Sequence, residues 1–337
     1  MKHLIRGSLA RGSLASEDAR SLRTRSHGAM GTEFTLYLDS ADEVRAQACF
    51  DAVFDEIDRL ESTFSRFRAS SEISRLNREA GDGPMVTDPE VFQLLAAALD
   101  VSRKTEGVFD ITVGQLMRAW GFSGRQPGIP DAPPLAAAQE CVGWTNIELD
   151  PEWRTVEFLR HGLEVDLGGI AKGYAVDCAM GVLRSAGVQG LIDAGSSSIA
   201  ATDEAFARGW EVSIANPLDA SATLCEAELG NRALSTSGVM EQSFVQDGRI
   251  YCHLIDPTAL GAETSAPVRQ VLQVTVLAPS SMLADALSTA MFLLGCERGR
   301  IALAQFPDCS AFWVYSGAEG IQCAAHQWPR DNFRLCK

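Results

Sequence analysis

No run of roughly eighteen or more apolar residues occurs in the chain, so the sequence offers no transmembrane helix. The opening stretch MKHLIRGSLARGSLASEDARSLRTRS is basic and serine-rich but lacks an apolar h-region, and it does not read as a secretory signal. Positive charge is scarce. Against 44 Asp and Glu stand 29 Lys and Arg, and the net charge of −15 disfavours nucleic acid or an anionic membrane as partner. The nine cysteines form no C-x-x-C pair and their odd number leaves a thiol unpaired, which points to a reduced compartment, the cytoplasm. Apart from the doubled RGSLA at Arg6–Ala15 there is no internal repeat, and residues 1–26 are set apart as a tail.

What is present is ordinary for a globular chain: 337 residues, 46% apolar and 22% charged, enough to bury a large core. Length alone suggests about two domains. No linker separates the motifs, however, so residues 27–337 read as one domain with two packed lobes.

Phe34–Leu38 is rich in β-formers and reads as a strand. From Ala41 to Phe64, Cys49, Val53, Ile57, Leu60 and Phe64 recur three or four apart, the period of a helix. A second helix runs from an Asp88-Pro89 entry to Thr105, with Glu106-Gly107 as its C-cap. The proline-rich QPGIPDAPP, Gln126–Pro134, reads as a surface excursion before a short helical piece and a strand pair near Asn146–Leu149 and Thr155–Leu159. A helix ending near Gly187 follows, then strands at Leu191–Asp193, Trp210–Ile214, Ala233–Thr236, Val271–Leu277 and Phe312–Tyr315. Helices at Met282–Leu294 and Arg298–Gln305 separate the last two strands. The irregular mixture argues for an α+β fold with largely antiparallel sheets rather than a doubly wound nucleotide fold.

The most informative segment is VDLGGIAKGYAVD, Val165–Asp177. It sets the carboxylate of Asp166, the pair Gly168-Gly169 and the cation of Lys172 at the entrance of a helix, the parts a polyphosphate cradle needs. Asp285 and Thr289 lie four apart on a helix, so their oxygens share one face.

Taken in order, Met30-Gly31-Thr32, FSRFRASSEISRLN around Phe67, GVFDITVGQLMRAWGF (Gly107–Phe122), the glycine segment, STSG (Ser235–Gly238), HLIDP (His253–Pro257) and ADALSTAMFLLG (Ala284–Gly295) resemble the ApbE family of FAD:protein FMN transferases. The likeness runs from about Gly28 to Phe312. It implies a T-fold-like, two-lobed single domain. It also implies FAD as substrate, Mg²⁺ as cofactor, and as partner an acceptor protein whose Ser/Thr hydroxyl attacks the FMN-side phosphorus and releases AMP. Carried over by position, Met30, Phe67, Val108, Phe109, Asp110, Asp166, Lys172 and Leu254 would surround FAD. Asp285, Thr289 and the carbonyl of Gly169 would hold Mg²⁺, with Ser288 adjacent. His253 is the leading candidate for general base, ahead of Asp285. Exported and lipid-anchored relatives make the periplasm the alternative location.

Two segments depart from the family's pattern. Ala194-Gly195-Ser196-Ser197-Ser198-Ile199 replaces a GG-[DN]-I turn with hydroxyls, and Thr258-Ala259-Leu260-Gly261 lacks the cation that usually follows HIIDP. Two alternatives stay open: an Mg²⁺-dependent FAD pyrophosphatase giving FMN and AMP, in which water replaces the protein hydroxyl at the same metal site, and a non-catalytic flavin-binding protein, which the departures allow.

Overall fold

The computed structural model describes residues 22–124, 126–202, 210–259, 261, 271–317, 320–328 and 333–335. The chain runs β1 (Leu22–Ala29), β2 (Thr32–Asp39), α1 (Glu43–Phe64), α2 (Glu72–Glu79), β3 (Met85–Val86), α3 (Pro89–Lys104), α4 (Gly114–Ala119), α5 (Ala132–Glu140), β4 (Ile147–Asp150) and β5 (Thr155–Phe158). It continues with α6 (Ala171–Ala186), β6 (Gln189–Ala194), β7 (Ser198–Ala201), β8 (Trp210–Asn216), β9 (Asp219–Leu229), β10 (Ala233–Gly238), β11 (Ser243–Gln246) and β12 (Arg249–Cys252). Last come β13 (Val271–Ala278), α7 (Ser281–Leu303), β14 (Ser310–Gly317), β15 (Gly320–His326) and β16 (Phe333–Leu335). The fold is α+β.

An eight-stranded sheet in the order β1-β2-β6-β7-β10-β13-β14-β15 forms the centre, and every neighbouring pair is antiparallel. Both faces of its middle strands are covered. Ile192, Ala200, Val274, Val276 and Trp313 join the core beneath α1, α6 and α7. On the opposite face Leu191, Ile199, Leu234, Leu277 and Phe312 pack against Val212, Ile214, Cys225 and Leu229 of β8 and β9. Residues one apart therefore serve two different cores, as the two-residue period of a strand requires.

Local signals explain the helices. In α1 the side chain of Asp42 accepts from Arg45 N, and Cys49, Val53, Ile57, Leu60 and Phe64 are all buried. Asp88 caps α3 with Pro89 in its first turn. Gly187 ends α6 at φ 60, the left-handed geometry that glycine adopts without a Cβ clash. Gly295, at φ 67 and ψ 178, interrupts α7, which is why the sequence reads as two helices there.

Two boundaries need correction. Strand β1 begins at Leu22, so Leu22–Ser26, assigned above to the tail, pair with β2 from Leu22↔Asp39 onward. That pairing satisfies backbone groups which a tail would leave to water. Residues 1–21, with the RGSLA doublet, lie outside the described residues. Pro133 and Pro134 sit in the first turn of α5 rather than in a loop, where a missing N–H costs nothing. The elements α2, β3, α4, β7, β9, β11, β12, β15 and β16 were not expected from the sequence.

Candidate active site

The glycine turn is held from several sides before α6 begins. Asn77 clamps Val165, accepting from its N–H at 2.8 Å and donating to its carbonyl at 3.0 Å, and Asp166 N donates to Ile111 O at 2.7 Å. The Asp166 carboxylate accepts from Gly168 N at 2.8 Å and from Arg66 Nε at 3.1 Å. A Cβ placed on Gly169 would lie 3.3 Å from Phe109 Cε2 and 3.6 Å from Thr289 Oγ1, so this turn rests against α7. The N-terminus of α6 carries no side-chain cap.

Asp285 is buried and heavily solvated by protein groups. Its Oδ1 accepts from Ser198 Oγ at 3.1 Å, Ser235 Oγ at 3.2 Å and Lys172 Nζ at 3.3 Å, while Oδ2 accepts from Gly173 N at 3.0 Å. Ser198 and Ser235 are direct partners across β7 and β10, which sets their hydroxyls 3.3 Å apart. Burial opposes the charge on Lys172, but Asp285 and Glu241 outweigh it and raise its pKa above the ordinary lysine value. Ser288 Oγ donates to Asp285 O at 2.9 Å and stands 2.8 Å from Ser237 Oγ, and Thr289 Oγ1 is 3.4 Å from that same hydroxyl.

His253 follows the β11–β12 hairpin. Its Nε2 is 3.8 Å from Glu241 Oε2, and its Nδ1 is 3.4 Å from Gln242 O. Burial and the Lys172 cation lower the imidazole pKa to about 4 despite the Gln242 carbonyl, so its neutral form prevails at neutral pH. The hairpin beneath it belongs to a satellite core: Tyr251 stacks on Phe244 at 5.3 Å and on Trp120 at 5.5 Å, above Leu116 and Leu135. Phe122 meets the His253 ring edge-on at 6.5 Å.

The remaining residues named from sequence divide by exposure. Phe67 is 73% exposed and presents an aromatic surface, whereas Val108, Phe109 and Leu254 are buried. Met30 sits at φ 50 in the β1–β2 turn and its N–H donates to Glu61 Oε1 at 2.9 Å. Asp110 is buried, not a solvated turn residue. Its carboxylate accepts from Thr112 N at 2.8 Å, Thr112 Oγ1 at 2.7 Å and Trp144 N at 2.8 Å, and burial raises its pKa.

The structure thus brings together Gly169, Phe109 and Thr289 on one side, and Lys172, Asp285 and Ser288 on the other, joined through Ser237. Sequence reasoning named none of Ser198, Ser235, Ser237, Gly173, Arg66 and Glu241 as site residues. Ser235 and Ser237 lie in the STSG motif, Gly173 in the glycine segment, Ser198 in the departing serine run and Arg66 beside Phe67, so five had a signal nearby; Glu241 had none. In a separate grouping of Glu56, Glu90 and Cys178, Arg59 already bonds both carboxylates at 2.8 Å.

A profile of the ApbE family matches residues 30–313. An FAD:protein FMN transferase of Klebsiella pneumoniae is 32% identical over 290 residues, spanning 85% of this chain and 86% of the relative. One from Haemophilus influenzae is 31% identical over 316 residues, spanning 88% and 89%. Among solved structures, the ApbE protein of Thermotoga maritima superposes with a TM-score of 0.81 at 27% identity, covering 91% of this chain and 97% of its own. The apo flavinyl transferase ApbE of Pseudomonas stutzeri gives 0.79 at 27% identity, covering 91% and 95%.

Proposed function

This chain belongs to the ApbE family, and on that premise we propose that it is an FAD:protein FMN transferase that uses Mg²⁺ to move FMN from FAD onto a Ser or Thr hydroxyl of an acceptor protein, releasing AMP. The observation that carries the reading is the meeting of the glycine turn with α7, where Gly169 lies against Thr289 one helical turn from Asp285.

The residues present fit a hard cation: a buried carboxylate, a hydroxyl and a peptide carbonyl, without a soft ligand among them. Asp285, Thr289 and the Gly169 carbonyl would hold it, with Ser288 held by its own helix at Asp285 O. Bound there, Mg²⁺ would neutralise the diphosphate and the charge that develops on the leaving phosphate.

The protein's own groups do the rest. Lys172 supplies a compact cation at the α6 N-terminus, where helix dipole and ammonium both favour phosphate oxygens. Neutral His253 can take the proton of the acceptor hydroxyl as its oxygen bonds to the FMN-side phosphorus and the P–O bond to AMP breaks. Asp285 is less suited to that step, since four donors already hold its carboxylate. Phe67 offers its ring to a flat heteroaromatic group, and Met30, Val108, Phe109, Asp110, Asp166 and Leu254 shape the pocket around FAD. The proposed compartment is the cytoplasm, and the proposed partner is another protein rather than nucleic acid. Among the described residues no helix is long and apolar enough to cross a membrane.

The test is to incubate the pure chain with FAD, Mg²⁺ and an acceptor domain, following AMP and the acceptor mass. AMP with a mass gain of one FMN supports transfer. AMP with free FMN would replace it by the pyrophosphatase, and no product would leave a binding protein.

A further inference from the structure

Arg66 and Phe67 are neighbours in sequence and opposites in environment. The Arg66 side chain is 7% exposed, yet Phe67 is 73% exposed. An aromatic ring left in water beside a buried guanidinium calls for an explanation, because burial is costly for the cation and exposure is costly for the ring.

The cation is fully compensated. Arg66 Nε lies 3.1 Å from Asp166 Oδ2, Nη1 lies 3.1 Å from Glu164 Oε1, and Nη2 donates to Ser123 Oγ. Glu164 is fixed in turn by Arg118 at 2.6 Å. Two carboxylates and a hydroxyl therefore lock the guanidinium in one orientation, with its Cζ over the Phe67 ring, 4.9 Å from the centroid. The phenyl is backed on that side by a cation held in place, and Phe67 is otherwise largely exposed.

Resting on the FAD reading above, we propose that Arg66 is a positioning residue for FAD: it backs the Phe67 ring so that a planar ring of the dinucleotide stacks on a surface already held in place. Lysine cannot do this, since it keeps the charge but has no plane to stack and no fork to span two carboxylates. The gain is in pre-organisation, as the ring's ordering is completed before FAD arrives.

The experiment follows quenching of FAD fluorescence by the full chain in metal-free buffer, where no turnover occurs, for the wild type, Arg66→Lys, Phe67→Leu and the double variant, with melting temperatures alongside. Arg66→Lys is expected to weaken FAD about tenfold, and in the Phe67→Leu background the same change should cost less than about twofold. Equal costs in both backgrounds, or none in either, would overturn the proposal. Titrating FMN and AMP separately tells which ring of FAD uses the surface. A wild-type chain that leaves FAD fluorescence unchanged would sink the transfer reading along with this one, whereas quenching by wild type and Arg66→Lys alike sinks this one alone. Should Arg66→Lys not fold, the Arg66 Nε–H resonance of the native chain serves instead. It should shift on adding FAD and stay put in Phe67→Leu, and a resonance unmoved in the native chain refutes the role.

Discussion

Gly173 offers the sharpest test of how the site is assembled. It is the third residue of α6, and a Cβ there would stand 2.3 Å from Ser281 O, 2.6 Å from Ser281 C and 2.8 Å from Asp285 Cβ. Ordinary contacts are about 3.4 Å or longer, so Gly173→Ala must push α6 and α7 roughly 1 Å apart against backbone that has no rotamer to yield. Helix propensity pulls the other way, since alanine improves on glycine by about 1 kcal/mol in a helix interior. Overpacking costs about 3 kcal/mol when the obstacle is rigid, leaving a net loss near 2 kcal/mol. For a chain of this size the unfolding entropy is about 0.7 kcal/mol per kelvin, so the melting temperature should fall by about 3 °C. The bond from Gly173 N to Asp285 Oδ2 lengthens as well, and Mn²⁺ affinity should fall with it. Gly181, on the same helix, is the control: a Cβ there meets nothing within 4 Å, so Gly181→Ala should raise the melting temperature by about 1 °C. Calorimetry of both variants decides the matter. A Gly173→Ala protein as stable as wild type, with unchanged Mn²⁺ binding, would refute the close approach of the two helices.

Four further outcomes are expected. Asp285→Ala should lower AMP release about a hundredfold or more, and excess chelator should do the same to the native chain; full activity in either case removes the cation assignment. Lys172→Met should cost about 10² to 10³ in turnover, by loss of a donor aimed at developing phosphate charge. The His253 C2–H resonance should titrate well below 6.5, near 4. Because the folded pKa is depressed, its contribution to stability is complete above about pH 6.5 and is lost as pH falls through the folded value, which urea titrations of wild type and His253→Gln across that range will show. His253→Gln should also slow transfer about 10² to 10⁴-fold while leaving FAD quenching intact, and weakened FAD binding would reassign the residue.

The sequence was legible where one physical signal dominated. Asp88-Pro89 marks a helix start, the spacing from Cys49 to Phe64 gives the buried face of α1, and Gly187 gives the end of α6. It was opaque where elements have weak patterns of their own. Strand β1, LRTRSHGA, is polar and buries only its last residue, Ala29, so only its ladder to β2 defines it. Helix α2 buries just Ile73, Ser74 and Leu76, too short a stripe to show a period. For the site, Asp285 and Thr289 could be named from their spacing and from family likeness. The donors that surround Asp285 could not, because Ser198 and Ser235 reach it only through the register that pairs β7 with β10. Nor could burial of Asp110, which depends on a backbone N–H at Trp144, 34 residues away.

The hairpin that carries His253 has only two strands, and such a ribbon is marginal in water without support. One part of its support is the satellite cluster of Trp120, Leu116 and Leu135 around Tyr251, and the other is the large core behind α7, which includes Cys252 and Leu254 on either side of His253. Grip on the dinucleotide thus rests on the large core, whereas removal of the proton needs both. Erosion of the smaller one, for instance by Trp120→Ala, would leave a protein that captures its nucleotide and cannot discharge it, so a holder of flavin could descend from an enzyme without any change to the residues that touch the ligand.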